Sequence, residues 1–224
     1  MNRTKIEWCD LSWNPCTGCL HGCWYCYARK LAQRFPKNFP RGFKPTFYRK
    51  RLMEPWLRKK PAKIFVCSIS DLFAPWIPTE WMETIIKYCW LCPVEHTFQF
   101  LTKNPEGIPR FPYKSNFWMG TTVTMENQDW KNILEIKKIS AGVRFVSFEP
   151  LLGRLPLHVN LAGLDWIIIG KLTGSKKVKL DPEWVSDIVS QARELGIPIF
   201  MKNNLKPEFP GELIQEFPGD AKRS

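Results

Sequence analysis

No uninterrupted apolar stretch in this 224-residue chain approaches the roughly 18 residues that a membrane-spanning helix needs, so no membrane segment is expected. The N-terminal residues show no basic region followed by an apolar run and a small-residue cleavage site, and a cytoplasmic protein is expected. Internal repeats and low-complexity tracts are also missing, which sets aside solenoids and compositionally disordered chains. Acidic side chains are scarce in one place. Residues 29–63 hold thirteen Lys or Arg and a single carboxylate, Glu54, whereas the remainder is neutral, with twenty basic and twenty acidic side chains. The whole formal charge of +12 therefore sits on that segment.

What is present begins with cysteine. Four of the eight cysteines fall within eleven residues, Cys16 to Cys26, and with no export signal this clustering favours metal ligation in a reducing compartment over disulfides. Cys19, Cys23 and Cys26 have the spacing C-x3-C-x2-C. Ligands two or three residues apart on a short loop can reach different irons of a 4Fe-4S cluster, and three of them leave one iron open. Adding Cys16 gives C-x2-C-x3-C-x2-C, a set for zinc or a closed cluster. Zinc modules usually separate their two pairs by about twelve or more residues, and the bacterial ferredoxin run has another register with a proline after its last cysteine. Cys26 has none, so the three-cysteine reading is preferred.

With 44% hydrophobic residues the chain can bury a substantial core, and its length fits a single domain over residues 1–224. Short apolar runs at residues 11–15, 63–69, 97–101, 117–123, 143–148, 165–169 and 197–201 read as strands. Helices are expected at 27–35, with Leu31 in phase, and at 79–90, 127–139 and 182–195. The last has Asp181 as N-cap, Pro182 at its first position and Gly196 as its stop. Residues 103–116 and 151–164 suit loops or single turns, and Pro207, Pro210 and Pro218 mark an extended tail over 203–224. The alternation predicts an α/β fold with mostly parallel strands. Parallel sheets bind ligands at the C-terminal strand ends. Those ends hold Ser68, Ser70 and Asp71, then Thr102 or Lys103, Thr122 with Thr124 and Glu126, Ser147 with Glu149, and Lys202 with Asn203, and they are expected to line one cavity. Strand alternation would turn Cys67 away from Ser68 and Ser70 as a packed thiol. For Glu149 an ion pair with Lys103 or Lys202 is an equal alternative.

Several phrases besides the cysteines carry a resemblance: Lys5-Ile6-Glu7-Trp8 with Trp13-Asn14-Pro15, the stretch from Phe65 to Phe73, Thr97 to Lys103, and Arg144 to Gly153. With C-x3-C-x2-C they resemble the radical S-adenosylmethionine (SAM) superfamily, in a phage-associated and prokaryotic branch of uncharacterised function. The resemblance implies a partial (β/α) TIM-like barrel, a 4Fe-4S cluster on Cys19, Cys23 and Cys26, and SAM on the open iron. It places SAM contacts at Tyr25, Ser68, Ser70, Asp71, Thr102, Thr122, Glu126, Ser147 and Glu149. Ser68, Ser70 and Asp71 would accept from the SAM ammonium, or else cap the next segment. Tyr25 would pack against adenine or shield the cluster, or else be a core ring. His21 would donate to a cluster sulfur or lie on an exposed loop. Relatives often have a Gly-Gly-Glu-type turn after the sixth strand, where this chain has Gly170-Lys171-Leu172-Thr173-Gly174 and thus favours a more anionic substrate. Cys9, Cys16, Cys89 and Cys92 fall outside the family pattern and are expected to be buried thiols, with a second metal site as the alternative.

The basic segment 29–63 also carries Phe35, Phe39, Phe43, Phe47, Tyr48 and Trp56, so cations and rings interleave as in nucleic-acid sites. Arg49, Lys50, Arg51, Lys171, Lys202 and Asn203 are the candidate substrate contacts. The expected activity is reductive cleavage of SAM and hydrogen abstraction from a nucleic acid or nucleotide, with flavodoxin or ferredoxin as electron donor. The alternatives are a non-catalytic iron-sulfur or zinc protein that binds nucleic acid, and radical chemistry on a peptide or small metabolite. In the latter the segment is a solvated excursion whose aromatics tuck it down, or a dock for the donor.

Overall fold

The structure, a computed structural model, describes residues 1–173, 178–209 and 212–219. The chain divides into two compact units, Met1–Ile108 and Pro109–Ser224. Both are built from strands and helices in alternation. Among the described residues no helix is long and apolar enough to cross a membrane.

In the first unit, β1 (Asn2–Arg3) pairs antiparallel with β2 (Leu11–Trp13). A separate two-residue ladder pairs β3 (Cys16–Thr17) antiparallel with β4 (Thr46–Phe47), and helix α1 (Tyr27–Arg34) lies between them in sequence. Strand β5 (Lys63–Val66) pairs parallel with β2 on one side and with β6 (Thr97–Thr102) on the other. Apolar residues on both faces make these strands central: Ile64, Phe65 and Val66 are buried in succession, as are Phe98, Gln99 and Phe100. Helix α2 (Thr79–Trp90) buries Ile85, Ile86 and Cys89 and keeps Glu80 and Glu83 outward. Its bounds are those expected.

In the second unit, β7 (Phe117–Thr122), β8 (Val143–Phe148), β9 (Trp166–Ile169) and β10 (Ile199–Met201) run parallel, each bonded to the next. Every residue of β9 and β10 is buried. Between them lie α3 (Asn132–Lys137) and α4 (Pro182–Glu194). As the sequence predicts, the Asp181 carboxylate caps α4 by accepting from Glu183 N at 2.9 Å, and Gly196 turns the chain back at φ +65°. Val185, Ile188 and Ala192 form the inward stripe. Residues 214–216 run antiparallel along β10, with Glu216 N donating to Ile199 O at 2.8 Å and Phe217 packed on Trp166 and Phe200. Pro210 and residues 220–224 of the expected tail lie outside the described residues, as does Gly174.

Two expected elements are shorter than their patterns by more than two residues. The strand placed at 63–69 stops at Val66, because Cys67 takes φ 58° and begins a turn. Cys67 is buried, but the turn rather than strand alternation puts it there. The helix placed at 127–139 is regular only over 132–137, after a 3-10 turn at Asp129–Lys131. Asp129 draws the preceding chain into a loop by accepting from Thr124 N and Oγ1, both at 2.7 Å, and from Met125 N at 2.9 Å. Met125, Asn127 and Gln128 accordingly sit at positive φ.

Candidate metal centre and strand-end residues

The cysteine loop leaves β3 and is fastened on two sides before its first expected ligand. Gly18 N donates to Ile69 O at 2.9 Å, Ser70 Oγ donates to Gly18 O at 2.8 Å, and Cys19 N donates to Phe43 O at 3.1 Å. Gly18 has φ +87°, and a Cβ there would lie 2.3 Å from Lys44 O and 2.9 Å from Phe43 O. Only glycine fits that squeeze between the turn after β5 and the basic segment.

Beyond Gly18 the loop presents Cys19, Cys23 and Cys26 half-buried, whereas Cys9, Cys16, Cys67 and Cys89 are buried. Cys26 is the N-cap of α1, its Sγ accepting from Arg29 N at 3.4 Å, so that a thiolate there faces the positive end of the helix. Burial pushes the Cys19 thiol up to about 12, and the nearby Asp71, Cys23 and Cys26 raise it further against a backbone hydrogen bond at His21. Burial also raises Cys16, Cys67, Cys89 and Cys92, which keeps them as thiols.

Among the described residues no three His, Cys, Asp or Glu side chains converge tightly enough to hold a single metal ion. A cubane asks for something different, since each thiolate binds its own iron and the sulfurs stand wider apart than around one ion. Three half-exposed thiols on one braced loop are the donor type such a cluster would need. Cys16 does not extend it: its sulfur is buried and lies 3.5 Å from Ser70 Oγ.

Asp71 braces the loop from the strand side. This buried carboxylate accepts from Thr102 Oγ1 at 2.5 Å, Lys103 N at 2.9 Å, Phe73 N at 3.3 Å and His21 Nε2 at 2.7 Å. Because an ionised carboxylate only accepts, the His21 proton lies on Nε2. Its four acceptor positions are filled by the protein itself, so Asp71 holds the turn at Phe73 and the cysteine loop rather than capping a helix. Ser70 is likewise spent on Gly18. Ser68 Oγ donates to Asn14 Oδ1 at 3.2 Å, and its carbonyl accepts from Tyr27 Oη at 2.6 Å. Tyr25 packs edge-on against Trp24, with Lys103 Nζ 5.6 Å from its ring centre.

In the second unit, Glu149 and Lys202 form an ion pair beyond the ends of β8 and β10, the alternative weighed for Glu149. Gly170 lets them meet, since a Cβ there would stand 3.0 Å from Lys202 Cδ and 3.2 Å from Glu149 Cδ. Thr122 and Ser147 are buried and Glu126 is half-buried. Lys171 pairs with Glu208 at 2.5 Å and exchanges hydrogen bonds with Asn204, so its charge is already answered within the unit. Asn203 Oδ1 accepts from Gln215 Nε2 at 3.4 Å.

The basic segment is tied down by the rings read as stacking candidates. Phe39 is buried, Arg29 lies over Phe43, Phe47 stacks on Trp81, Arg51 lies 4.0 Å from the Tyr48 ring centre, and Trp56 Nε1 donates to Tyr88 O. Arg51 also donates to Asn14 O at 3.0 Å, and Arg49 pairs with Glu80. Of the three basic residues chosen there, Arg49 and Lys50 are exposed and Arg51 is half-buried. Sequence reasoning missed Asn14 as a clamp, Asp129 as a cap and Glu208 as the Lys171 partner. Only Asn14, a polar residue directly after β2, left a local signal.

Residues 3–207 match a family described as Protein of unknown function (DUF5131). The chain belongs to that family. Neither a curated protein nor a solved structure matches it. The DUF5131 match takes in the cysteine loop, Asp71, Glu149 and Lys202, and ends one residue before Glu208.

Proposed function

We propose that this DUF5131 protein is a cytoplasmic radical SAM enzyme that holds a 4Fe-4S cluster on Cys19, Cys23 and Cys26, its strands forming a partial TIM-like barrel. The observation that carries the reading is the braced loop itself: three half-exposed thiols in C-x3-C-x2-C spacing, while every other cysteine except Cys92 is buried. When bound, the cluster would pass one electron to SAM and release methionine and a 5'-deoxyadenosyl radical that takes hydrogen from a substrate.

The chain's own residues supply placement. Gly18, Ser70 and Asp71 fix the loop, and Cys26 sits at the N-terminus of α1 with its Sγ accepting from Arg29 N. Ser68 keeps lone pairs for the SAM ammonium, and Tyr25 offers a ring beside the last ligand. Holding the reacting C–H bond still is the main demand on such a protein, because a primary radical attacks whatever is nearest. A nucleic acid or nucleotide is the proposed substrate, on the charge of residues 29–63, and a flavodoxin or ferredoxin the proposed electron donor.

The test is anaerobic reconstitution with iron and sulfide. A reduced cluster whose electron paramagnetic resonance signal shifts on adding SAM, with 5'-deoxyadenosine released, supports the enzyme. A zinc-loaded protein, or a cluster indifferent to SAM, leaves a metal-containing nucleic-acid-binding protein instead.

A further inference from the structure

Helix α1 is dressed the wrong way round for a core helix. Its buried positions are the small Ala28 and Ala32, while its large side chains face solvent: Tyr27 is 56% exposed, Leu31 38% and Phe35 44%, and Trp24 just before the helix is 49% exposed. At 100° per residue, Tyr27, Lys30, Leu31 and Arg34 fall within about 100° of one another, with Phe35 at the margin of that face. Lys30 and Arg34 are exposed, and the Arg34 guanidinium lies 5.5 Å from the Phe35 ring centre. Lys37 and Arg41 follow directly and are also exposed, and no acidic residue occurs between Asp10 and Glu54.

We infer that the outer face of α1 is a binding platform for single-stranded nucleic acid, whose bases stack on Trp24, Tyr27 and Phe35 and whose phosphates meet Lys30, Arg34 and Lys37. Charge complementarity selects a polyanion. The distribution selects its kind, because protein interfaces gather apolar residues in a core and leave Lys to the rim, whereas here cations and rings share one face, as single-strand sites require. A duplex hides the faces of its bases within its own stack and would use only the cations. The rings of residues 39–56 pack on their own segment and on α2, whereas Trp24, Tyr27 and Phe35 keep 44–56% of their surface exposed even with Tyr27 Oη donating to Ser68 O and Trp24 set edge-on to Tyr25. Since Trp24 lies between Cys23 and Cys26, a strand on α1 ends at the cysteine loop. The inference rests on the proposed nucleic-acid chemistry for its purpose, but binding is measurable without it.

The experiment is fluorescence anisotropy of the anaerobically purified full-length protein with a labelled oligothymidylate 12-mer and with a 12-base-pair duplex. Single-strand binding should exceed duplex binding by roughly 10-fold, and three phosphate contacts should cost about 20-fold between 50 and 200 mM salt. Phe35→Ala and Phe35→Leu should each weaken it by about 10-fold, Phe35→Trp should restore it, and Arg34→Glu should weaken it while Lys87→Glu on α2 leaves it unchanged. Circular dichroism confirms that each variant is folded. Equal affinity for duplex, a folded Phe35→Leu variant that binds fully, or capture of an acidic flavodoxin but no oligonucleotide overturns the inference. SAM cleavage is measured on the same preparation. Binding without cleavage sinks the enzyme reading alone, and cleavage without binding sinks the platform alone.

Discussion

Asp71 joins two stretches of chain that the sequence keeps fifty residues apart. Its Oδ2 receives His21 Nε2 and Lys103 N, and its Oδ1 receives Thr102 Oγ1 and Phe73 N. Asp71→Asn puts an amide donor against two of these donors wherever the side chain is turned. Leaving buried donors unmet costs about 1–3 kcal/mol each, so this variant should lose about 3 kcal/mol of stability in urea unfolding. An unchanged midpoint would remove Asp71 from its place as the brace. Gly18→Ala should cost on the order of 3 kcal/mol and lower iron content after reconstitution, because the new Cβ meets the Lys44 carbonyl at 2.3 Å. Retention of full iron would show that the loop can shift. The cysteine spacing is visible in the sequence because the pattern is local, and the structure adds that Cys16 is buried while Cys19, Cys23 and Cys26 are half-buried. The partners of Asp71 were not legible, because a carboxylate carries no mark of which distant donors the fold will bring to it.

Elements were legible where their ends are written in the sequence. Helices α2 and α4 have the starts expected, and α4 shows why: the Asp181 carboxylate, Pro182 and Gly196 each act locally, so Asp181→Ala should cost about 1 kcal/mol in thermal or urea unfolding. Helix α3 was over-read because Asp129 spends its carboxylate on the loop behind it, a competition that apolar periodicity does not register. The basic segment was half legible, its charge visible and its tethers not. One tether is His96, fully buried at the start of β6, whose Nδ1 accepts from Ala62 N at 3.1 Å and whose Nε2–H donates to Pro55 O at 3.0 Å. Burial pulls its pKa below the ordinary 6.5, aided by Arg58 and opposed by the Pro55 bond. Between the folded value and 6.5 the unfolded chain binds the extra proton. Stability from this group is therefore complete above about pH 6.5 and falls as the pH drops toward the folded value. His96→Asn should be less stable at pH 7.5 yet show a flatter fall in urea midpoint down to about pH 5.5. A parallel fall in both proteins would place the acid sensitivity elsewhere.

For the molecule as a whole, the question is whether the proposed cluster would contribute to the stability of the fold or ride on it. Cys19, Cys23 and Cys26 leave the strand framework for a loop held by Gly18, Ser70 and Asp71, so the proposed ligands would be positioned before any iron arrived. A ligand that binds only the folded form still stabilises it, by about 3–4 kcal/mol at 100 to 1,000 times its dissociation constant. For a chain of this size, that raises the melting temperature by about 10 °C. Reconstituted protein should therefore melt about 10 °C above the metal-free form. The Cys19→Ala, Cys23→Ala, Cys26→Ala triple variant should melt with the metal-free form and gain nothing from iron and sulfide. Cys16→Ala leaves the three proposed ligands in place and should keep the full gain, because that thiol packs against Ser70. A gain lost in Cys16→Ala would make it a fourth ligand, closing the iron that SAM requires and turning the centre toward electron transfer or structure. A gain produced by zinc alone would replace the cubane by a single ion, and the radical chemistry would go with it.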